Sequence, residues 1–127
     1  MSPFESGRPA GSHRGDCGED RACDYLRRRG LKILARNYRC RAGEIDVVAE
    51  DRGTVVFVEV KERRGESHGS AVEAVTAAKR RKVVRAARAY AVAHGLSDSP
   101  LRFDVVAIDW GPKGPRVRHD AGAFGES

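Results

Sequence analysis

The chain has 127 residues, the size of one domain with a single hydrophobic core. Lysine and arginine number 24 against 18 aspartate and glutamate residues, and the formal net charge of +6 favours nucleic acid as a partner. No apolar run approaches the roughly 18 residues of a membrane span, and no signal-peptide pattern is found. Three cysteines without zinc-type spacing complete a composition that predicts a cytoplasmic protein with free thiols and no membrane partner.

The N-terminal part is predicted to contain a tail, a helix and a strand. Residues 1–13 are rich in glycine, proline and serine and are expected to be disordered. A first helix is expected over residues 15–29, ended by Gly30 as the C-cap residue. Glu19 falls on the apolar stripe of this helix, and a strand is expected to follow over residues 31–39.

A β-hairpin is the strongest local prediction. Residues 43–50 and 54–61 both alternate and are rich in β-formers, and Asp51-Arg52-Gly53 between them is a turn signal. A two-residue loop at Arg52-Gly53 places Asp46 opposite Glu59 on one face of the hairpin. The other face is then wholly apolar and buried, with Ile45 opposite Val60, Val47 opposite Val58 and Ala49 opposite Val56.

The remaining elements complete an α-β-β-β-α-β-β order. Thr76 is the predicted N-cap of a long helix that ends at Gly95, and strands are expected over residues 101–110 and 116–120. The long helix returns the chain so that the strand from Leu101 runs parallel to the strand of Glu59. The pattern predicts a single α/β domain over residues 14–124, with a mixed central sheet flanked by helices and a tail at 125–127.

Asp46, Glu59 and Lys61 are the main candidates for chemistry. Facing like charges destabilise a hairpin, so two opposed carboxylates beside a lysine suggest a cation site. Mg²⁺ prefers oxygen ligands, and a Mg²⁺ ion polarises a phosphate and activates water, which predicts a phosphodiester hydrolase. Lys61 could orient the water or neutralise developing charge. The residues alone equally allow a solvated face with weak ion pairs.

Two further residues could extend this site. Glu19 could reach the metal or a metal-bound water, although a glutamate in the first turns also complements the helix dipole. Lys79 and Arg80 are predicted to point with the apolar side of the long helix near its start, where a cation could meet a phosphate. Snorkelling at the core edge is the alternative, and it suits Arg80 slightly better than Lys79.

Several arginines are candidates for sequence-independent phosphate contacts. Arg81 and Arg85 lie on an outer stripe of the long helix that continues to Arg88, and Arg63-Arg64 directly follow the lysine of the hairpin. Aromatic residues make up only 6% of the chain, so a base-stacking platform is not favoured. Asp104 is expected to form an ion pair with Arg102 on the same face of its strand.

Taken in order, the motifs resemble the YraN family of uncharacterised bacterial proteins. The residues that carry this resemblance are Gly18-Glu19, Arg36-Asn37-Tyr38-Arg39, Gly43-Glu44-Ile45-Asp46, Phe57-Val58-Glu59-Val60-Lys61, Glu73-Ala74-Val75, Lys79, Arg102-Phe103-Asp104-Val105-Val106, His119 and Ala123-Phe124. The family is similar to the PD-(D/E)xK nucleases, which have a restriction-endonuclease-like fold and include archaeal Holliday junction resolvases.

The resemblance implies roles for individual residues. Asp46 and Glu59 would be ligands of Mg²⁺ or Mn²⁺, Lys61 the catalytic lysine and Glu19 an auxiliary acid. Lys79 corresponds to a helix-borne basic residue that often completes such sites. Junction-cleaving relatives work as dimers, which leaves a homodimer open, although no exposed apolar stripe in this sequence demands one.

Three functions are compatible with these observations. The first is a metal-dependent endonuclease, with DNA favoured over RNA and with branched or damaged DNA as candidate substrates. The second is a non-catalytic nucleic-acid-binding accessory protein with a nuclease-like fold. The third is a protein-interaction module whose basic surface meets an acidic partner. Fold alone does not decide among them.

Overall fold

The computed structural model describes residues 17–64 and 69–125. The predicted tail at 1–13 and residues 126–127 of the predicted C-terminal tail lie outside these ranges. The predicted domain limits of 14–124 stay a prediction. The described elements follow the expected order. They are α1 (Cys17–Arg28), β1 (Lys32–Cys40), β2 (Gly43–Asp51), β3 (Thr54–Arg64), a 3-10 helix (Val72–Ala74), α2 (Ala77–Ala93), β4 (Leu101–Gly111) and β5 (Gly114–Phe124).

The described strands form one mixed sheet in the order β1-β2-β3-β4-β5. Strands β3 and β4 are parallel, and the other neighbouring strands are antiparallel. Helix α2 lies in the connection between the two parallel strands, because parallel neighbours require a long crossover. The predicted fold class, an α/β domain with a mixed central sheet flanked by helices, is confirmed.

The helix ends follow from their capping residues. Gly30 has a φ of 92°, and the Leu31 N–H donates to the Leu26 carbonyl at 3.0 Å, which closes the end of α1. The Thr76 side chain accepts a hydrogen bond from the Lys79 N–H at 3.1 Å, which caps the start of α2. Both predicted boundaries are confirmed.

The two helices cover opposite faces of the sheet. Ala22, Cys23 and Leu26 of α1 pack on one face, in a cluster completed by Leu31, Val47, Ala49, Val56, Val58, Val106 and Ile108. Helix α2 packs on the other face through Val83, Ala87 and Tyr90, with Val48, Phe57 and Phe103 among its partners. These apolar contacts bury both faces of the sheet.

The register of the predicted hairpin is confirmed from the turn to Val47↔Val58. Beyond this pair the face prediction is wrong for Ile45, which packs in the α2 cluster while Val47 packs in the α1 cluster. The alternation is interrupted between these two residues. On the paired strand Asn37 has a φ of 54°, and Arg36 and Tyr38 on either side of it also face different helices. Asp46 therefore lies at an irregular point of the sheet.

Strand β5 is longer than predicted. The sequence indicated residues 116–120, whereas pairing with β4 extends from Gly114 to Phe124. Gly114 has a φ of 102°, which allows the chain to reverse directly after β4. Within residues 17–64 and 69–125, no helix is both long and apolar enough to span a bilayer.

Candidate metal centre

Asp46 stands at the end of the regular β2–β3 ladder. Its Oδ2 atom accepts a hydrogen bond from the Val60 N–H at 2.8 Å, in place of a bond between main chains. The carboxylate therefore lies between the two strands and is fixed by the backbone of β3. This position brings Asp46 near Glu59, and the Asp46 charge acts on the Glu59 carboxyl group.

Glu59 is the buried member of the pair, with only 4% of its surface exposed. It follows Phe57 by two residues on β3 and faces the α2 side of the sheet, where Lys79 approaches it. Its Oε1 atom is buried and has no hydrogen-bond partner among the described residues. A buried carboxylate oxygen without a donor costs free energy, so the Oε1 atom lacks a hydrogen-bond donor or a cation.

The pKa values of both carboxyl groups respond to this environment. Burial and then the neighbouring Asp46 charge raise the pKa of Glu59 from 4.5 to about 8, although Lys79 and Lys61 act in the opposite direction. Burial also raises the pKa of Asp46, against the lowering effects of the Val60 N–H and Lys79. Burial and the Asp46 charge therefore favour the protonated form of the Glu59 carboxyl group.

Two lysines flank the pair. Lys79 lies in the first turn of α2, and its Nζ atom is 3.8 Å from Glu59 Oε2. Lys61 is exposed on β3, two residues after Glu59, and its charge also acts on that carboxyl group. The structure therefore brings together four predicted residues, namely Asp46, Glu59, Lys61 and Lys79.

Glu19 lies on the buried side of α1, as its place on the apolar stripe predicted, and its role as an auxiliary acid stays a prediction. It is buried near the start of α1, and its Oε1 atom accepts hydrogen bonds from Arg36 Nε at 3.0 Å and Asn37 Nδ2 at 2.9 Å. Burial raises its pKa, while Arg36 opposes that effect and the Asp46 charge adds to it. Glu19 is thus close enough to act electrostatically on Asp46, but its carboxylate is held by β1.

The described residues contain no group of three or more histidine, cysteine, aspartate or glutamate side chains placed to hold one metal ion. The carboxylates that converge are Asp46 and Glu59 alone, and Glu19 does not complete a three-acid cluster. A two-carboxylate site suits Mg²⁺, which keeps several waters and uses one or two carboxylates in many proteins.

The structure does not support the predicted phosphate contact of Arg63. Its guanidinium binds Asp109 through Nε to Oδ1 at 2.7 Å and Nη2 to Oδ2 at 3.2 Å, and it also donates to the Ser70 carbonyl. Only 11% of its side chain is exposed. Arg64 differs, since it is exposed and its Cζ atom lies 5.9 Å from the centre of the Trp110 ring.

Helix α2 separates its arginines into two classes. Arg80 donates to the carbonyls of Val72 and Val75 at 3.0 Å each, so it fastens the 3-10 helix, in agreement with the preferred core-edge interpretation. Arg81 and Arg85 are exposed and line a 540 Å³ cleft that also includes Phe124. These two remain available for contacts with an anionic partner.

A second buried charge cluster was only partly predicted. The expected Arg102–Asp104 ion pair is present, at 2.9 Å from Nε to Oδ1. His119 Nε2 also lies 2.7 Å from Asp104 Oδ2, and the Tyr25 hydroxyl lies 3.2 Å from His119 Nδ1. The sequence contained no signal for these long-range partners, because Tyr25 and His119 belong to elements that only the tertiary fold brings together.

Comparison with known proteins places the chain among bacterial relatives of similar length. It is 50% identical over 100 residues to a UPF0102 protein of Symbiobacterium thermophilum, covering 79% of this chain and 85% of the relative. A UPF0102 protein of Roseiflexus castenholzii is 50% identical over 104 residues, with coverage of 81% and 84%. That of Geobacter sulfurreducens is 46% identical over 119 residues, with coverage of 90% and 93%.

These names state no activity, so the comparisons support the family without a function. The family model described as "Uncharacterised protein family UPF0102" matches residues 18–108, a range that includes Glu19, Asp46, Glu59, Lys61 and Lys79. The chain therefore belongs to the uncharacterised protein family UPF0102.

Proposed function

We propose that the protein is a Mg²⁺- or Mn²⁺-dependent endonuclease that hydrolyses phosphodiester bonds in nucleic acid, with DNA favoured. The observation that carries the proposal is the interaction between Asp46 and Glu59. The pKa values of both carboxyl groups are raised, and the Glu59 Oε1 atom has no hydrogen-bond partner among the described residues. A buried acidic pair with perturbed pKa values is a frequent property of functional sites.

The donor set fits a hard divalent cation. Asp46 and Glu59 supply carboxylate oxygens, and the orphaned Oε1 atom is a ligand position that no described protein group satisfies. Asp46 and Glu59 would hold the ion, and when bound it would polarise the scissile phosphate and lower the pKa of a water. Binding such an ion would also replace the proton that the raised pKa of Glu59 favours.

The lysines supply the positive charge that phosphate chemistry requires. Lys61 is exposed beside Glu59, so its ammonium group can reach a phosphate or orient the attacking water. Lys79 is 36% exposed and already approaches Glu59 Oε2, so it would limit charge repulsion in the pair. Arg64, Arg81 and Arg85 would bind the nucleic-acid backbone through phosphate contacts without sequence preference.

The family resemblance supports the same assignment. Asp46, Glu59 and Lys61 occupy the positions of the PD-(D/E)xK motif, and the mixed sheet with flanking helices is consistent with a nuclease-like fold. Because one fold hosts many functions, the proposal depends on the site more than on the architecture.

A cleavage assay tests the proposal directly. Purified protein is incubated with four-way junction, flap and duplex DNA and with structured RNA, in the presence of Mg²⁺ or Mn²⁺. We expect cleavage that EDTA and Asp46→Asn abolish, whereas Glu50→Gln on the same strand keeps it. Absence of cleavage on all substrates, or cleavage that Asp46→Asn leaves intact, would refute the proposal.

A non-catalytic nucleic-acid-binding protein is the second candidate. It is favoured by the position of Glu19, whose carboxylate is bound by Arg36 and Asn37 instead of joining Asp46 and Glu59. This function predicts salt-dependent binding of nucleic acid that persists in EDTA and in Glu59→Gln, with no turnover. Electrophoretic mobility shifts at several salt concentrations distinguish it from the endonuclease.

A further inference from the structure

A polar cleft of 580 Å³ lies at the end of the sheet where the β2–β3 hairpin turns. Separate elements contribute to it, namely the end of α1, the hairpin turn, the start of β4 and the second half of β5. Its lining includes Tyr25, Arg29, Arg52, Thr54, Arg102 and His119. The volume falls in the range of small-ligand sites, and the convergence of several elements holds the lining in place.

The cleft is separate from the acidic pair. Tyr25, Asp104 and His119 lie on the α1 face of the sheet, in line with the alternation that places Val106 and Ile108 in the α1 cluster. Glu59 lies on the α2 face beside Lys79. The same phosphate therefore cannot contact both sites.

The acceptors of the cleft are already bound by donors inside the protein. Asp104 is fully buried and accepts from Arg102 Nε and Nη2, His119 Nε2 and the Gly122 N–H, all within 3.0 Å. Asp51 Oδ2 accepts from Arg102 Nη1 at 3.0 Å. These bonds engage both Asp104 oxygens and one Asp51 oxygen, and the cleft lining carries three arginines against one aspartate.

The donors that face the cleft come from several directions. Arg102 uses three of its five N–H groups on Asp51 and Asp104, so two remain. Arg29 is exposed with its Cζ atom 5.6 Å from the centre of the Tyr25 ring, and Arg52 is exposed at the turn. The Thr54 hydroxyl adds a neutral donor at the wall, whereas the Tyr25 hydroxyl lies 3.2 Å from His119 Nδ1.

We infer that this cleft binds a phosphate monoester group. Guanidinium groups from three elements, together with the Thr54 hydroxyl, suit the spread of oxygens around a tetrahedral dianion better than a planar carboxylate. The group could be carried by a free phosphate compound or by the 5′ end of a nucleic acid, because both present the same chemistry. The inference goes beyond the proposed function, since no residue of the acidic pair takes part.

Calorimetric titration of the full chain tests the cleft. The probes are inorganic phosphate, a 5′-mononucleotide, and one oligonucleotide with either a 5′-phosphate or a 5′-hydroxyl group, all in EDTA. Arg29→Ala and Arg52→Asn each remove one cation, and asparagine tolerates the φ of 52° at position 52. Arg116→Ala removes an exposed arginine outside the cleft, and Asp46→Asn tests whether the acidic pair takes part in phosphate binding.

We expect each cleft variant to weaken phosphate binding about tenfold, as for loss of a hydrogen bond to a charged group, while Arg116→Ala and Asp46→Asn leave it unchanged. Tighter binding of the 5′-phosphate oligonucleotide than of both its 5′-hydroxyl counterpart and the mononucleotide would identify a nucleic-acid end as the ligand. Equal affinity for the mononucleotide and inorganic phosphate would identify a free phosphate compound. No binding of any probe, or equal losses in Arg29→Ala and Arg116→Ala, would overturn the inference.

Discussion

Glu59 and Asp104 lie one position apart on the parallel strands β3 and β4, on opposite faces of the sheet, and both are almost completely buried. Asp104 accepts four hydrogen bonds and its pKa is lowered, first by His119 and Arg102, against the effect of burial. Glu59 has one orphaned oxygen and its pKa is raised. Burial is common to both, so the difference lies in the donors around Asp104 and in the Asp46 charge beside Glu59.

The comparison separates structural acids from candidate functional acids. A carboxylate that the fold surrounds with donors contributes to stability and has no capacity left for a ligand. A carboxylate that the fold buries without enough donors reduces stability, and its remaining oxygen can bind a cation. Asp109, which binds Arg63 and Arg118, belongs with Asp104.

The largest expected effect is the loss of the Asp104 carboxylate. Asp104→Ala leaves Arg102 and His119 without their buried acceptor, so we expect the free energy of unfolding to fall by about 3–5 kcal/mol. Urea denaturation followed by circular dichroism measures this change. Asp98→Ala in the exposed loop before β4 is the control, expected within about 0.5 kcal/mol of wild type. A loss for Asp104→Ala as small as that of the control would contradict the structural role of Asp104.

Arg63→Ala extends the test to Asp109. The change removes a bidentate partner from a carboxylate that keeps Arg118, so we expect a smaller destabilisation of about 2 kcal/mol. The exposed Arg64→Ala is the matched control in the same strand. If Arg63 served mainly as a phosphate contact, its loss would weaken nucleic-acid binding with little change in stability.

Glu59→Gln is expected to stabilise the protein at high pH, whereas the substitutions of Asp104 and Arg63 destabilise it. The pKa of Glu59 is about 8 in the folded protein against 4.5 for the ordinary group, so the folded state binds the extra proton between these values. Stability is therefore highest below pH 4.5 as far as this group is concerned, and it declines as the pH rises through the folded pKa. Glutamine cannot ionise, so above pH 8 the variant should be more stable than wild type by on the order of 1–2 kcal/mol.

Thermal denaturation across this pH range, without divalent ions, measures the effect. Glu50→Gln should keep the wild-type decline. A Glu59→Gln variant that is less stable than wild type at alkaline pH would show that the ionised Glu59 is already satisfied within the protein.

Lys79→Met is the smallest of the expected changes. The Lys79 charge lowers the pKa of both Asp46 and Glu59, so its removal should raise both values further. The stability change should stay below about 1 kcal/mol because the ammonium group is partly exposed. Carboxyl carbon chemical shifts from NMR titration measure the pKa values, and Arg81→Met is the control on the same helix. If the pKa values of Asp46 and Glu59 were both unchanged, Lys79 would not act on the acidic pair.

The elements that local patterns determine could be predicted from the sequence. The turn at Arg52-Gly53 fixed the pairing of Val47 with Val58, and Gly30 and Thr76 marked helix ends. The pairing of Asp46 with Glu59 was expected from the same register, but the regular ladder ends at Val47 and Val58. The face of Ile45 was predicted wrongly, because the alternation is interrupted where Asn37 on the neighbouring strand has a φ of 54°.

The partners of charged residues were harder to predict. Arg63 and Glu19 carry the residue types expected for phosphate and metal contacts, yet Asp109 binds the first, and Arg36 and Asn37 bind the second. These partners are distant in sequence, so charge and periodicity could not reveal them. Arg102 and Asp104 were predictable because they are two residues apart on one strand.

Calorimetric titration of Mn²⁺ and Mg²⁺ into the wild-type protein, Glu59→Gln and Asp109→Asn tests most directly whether Asp46 and Glu59 hold a divalent cation. We expect one binding event per chain in wild type and in Asp109→Asn, accompanied by proton release near pH 7, and none in Glu59→Gln. Equal binding by wild type and Glu59→Gln, or no binding by wild type, would contradict this expectation.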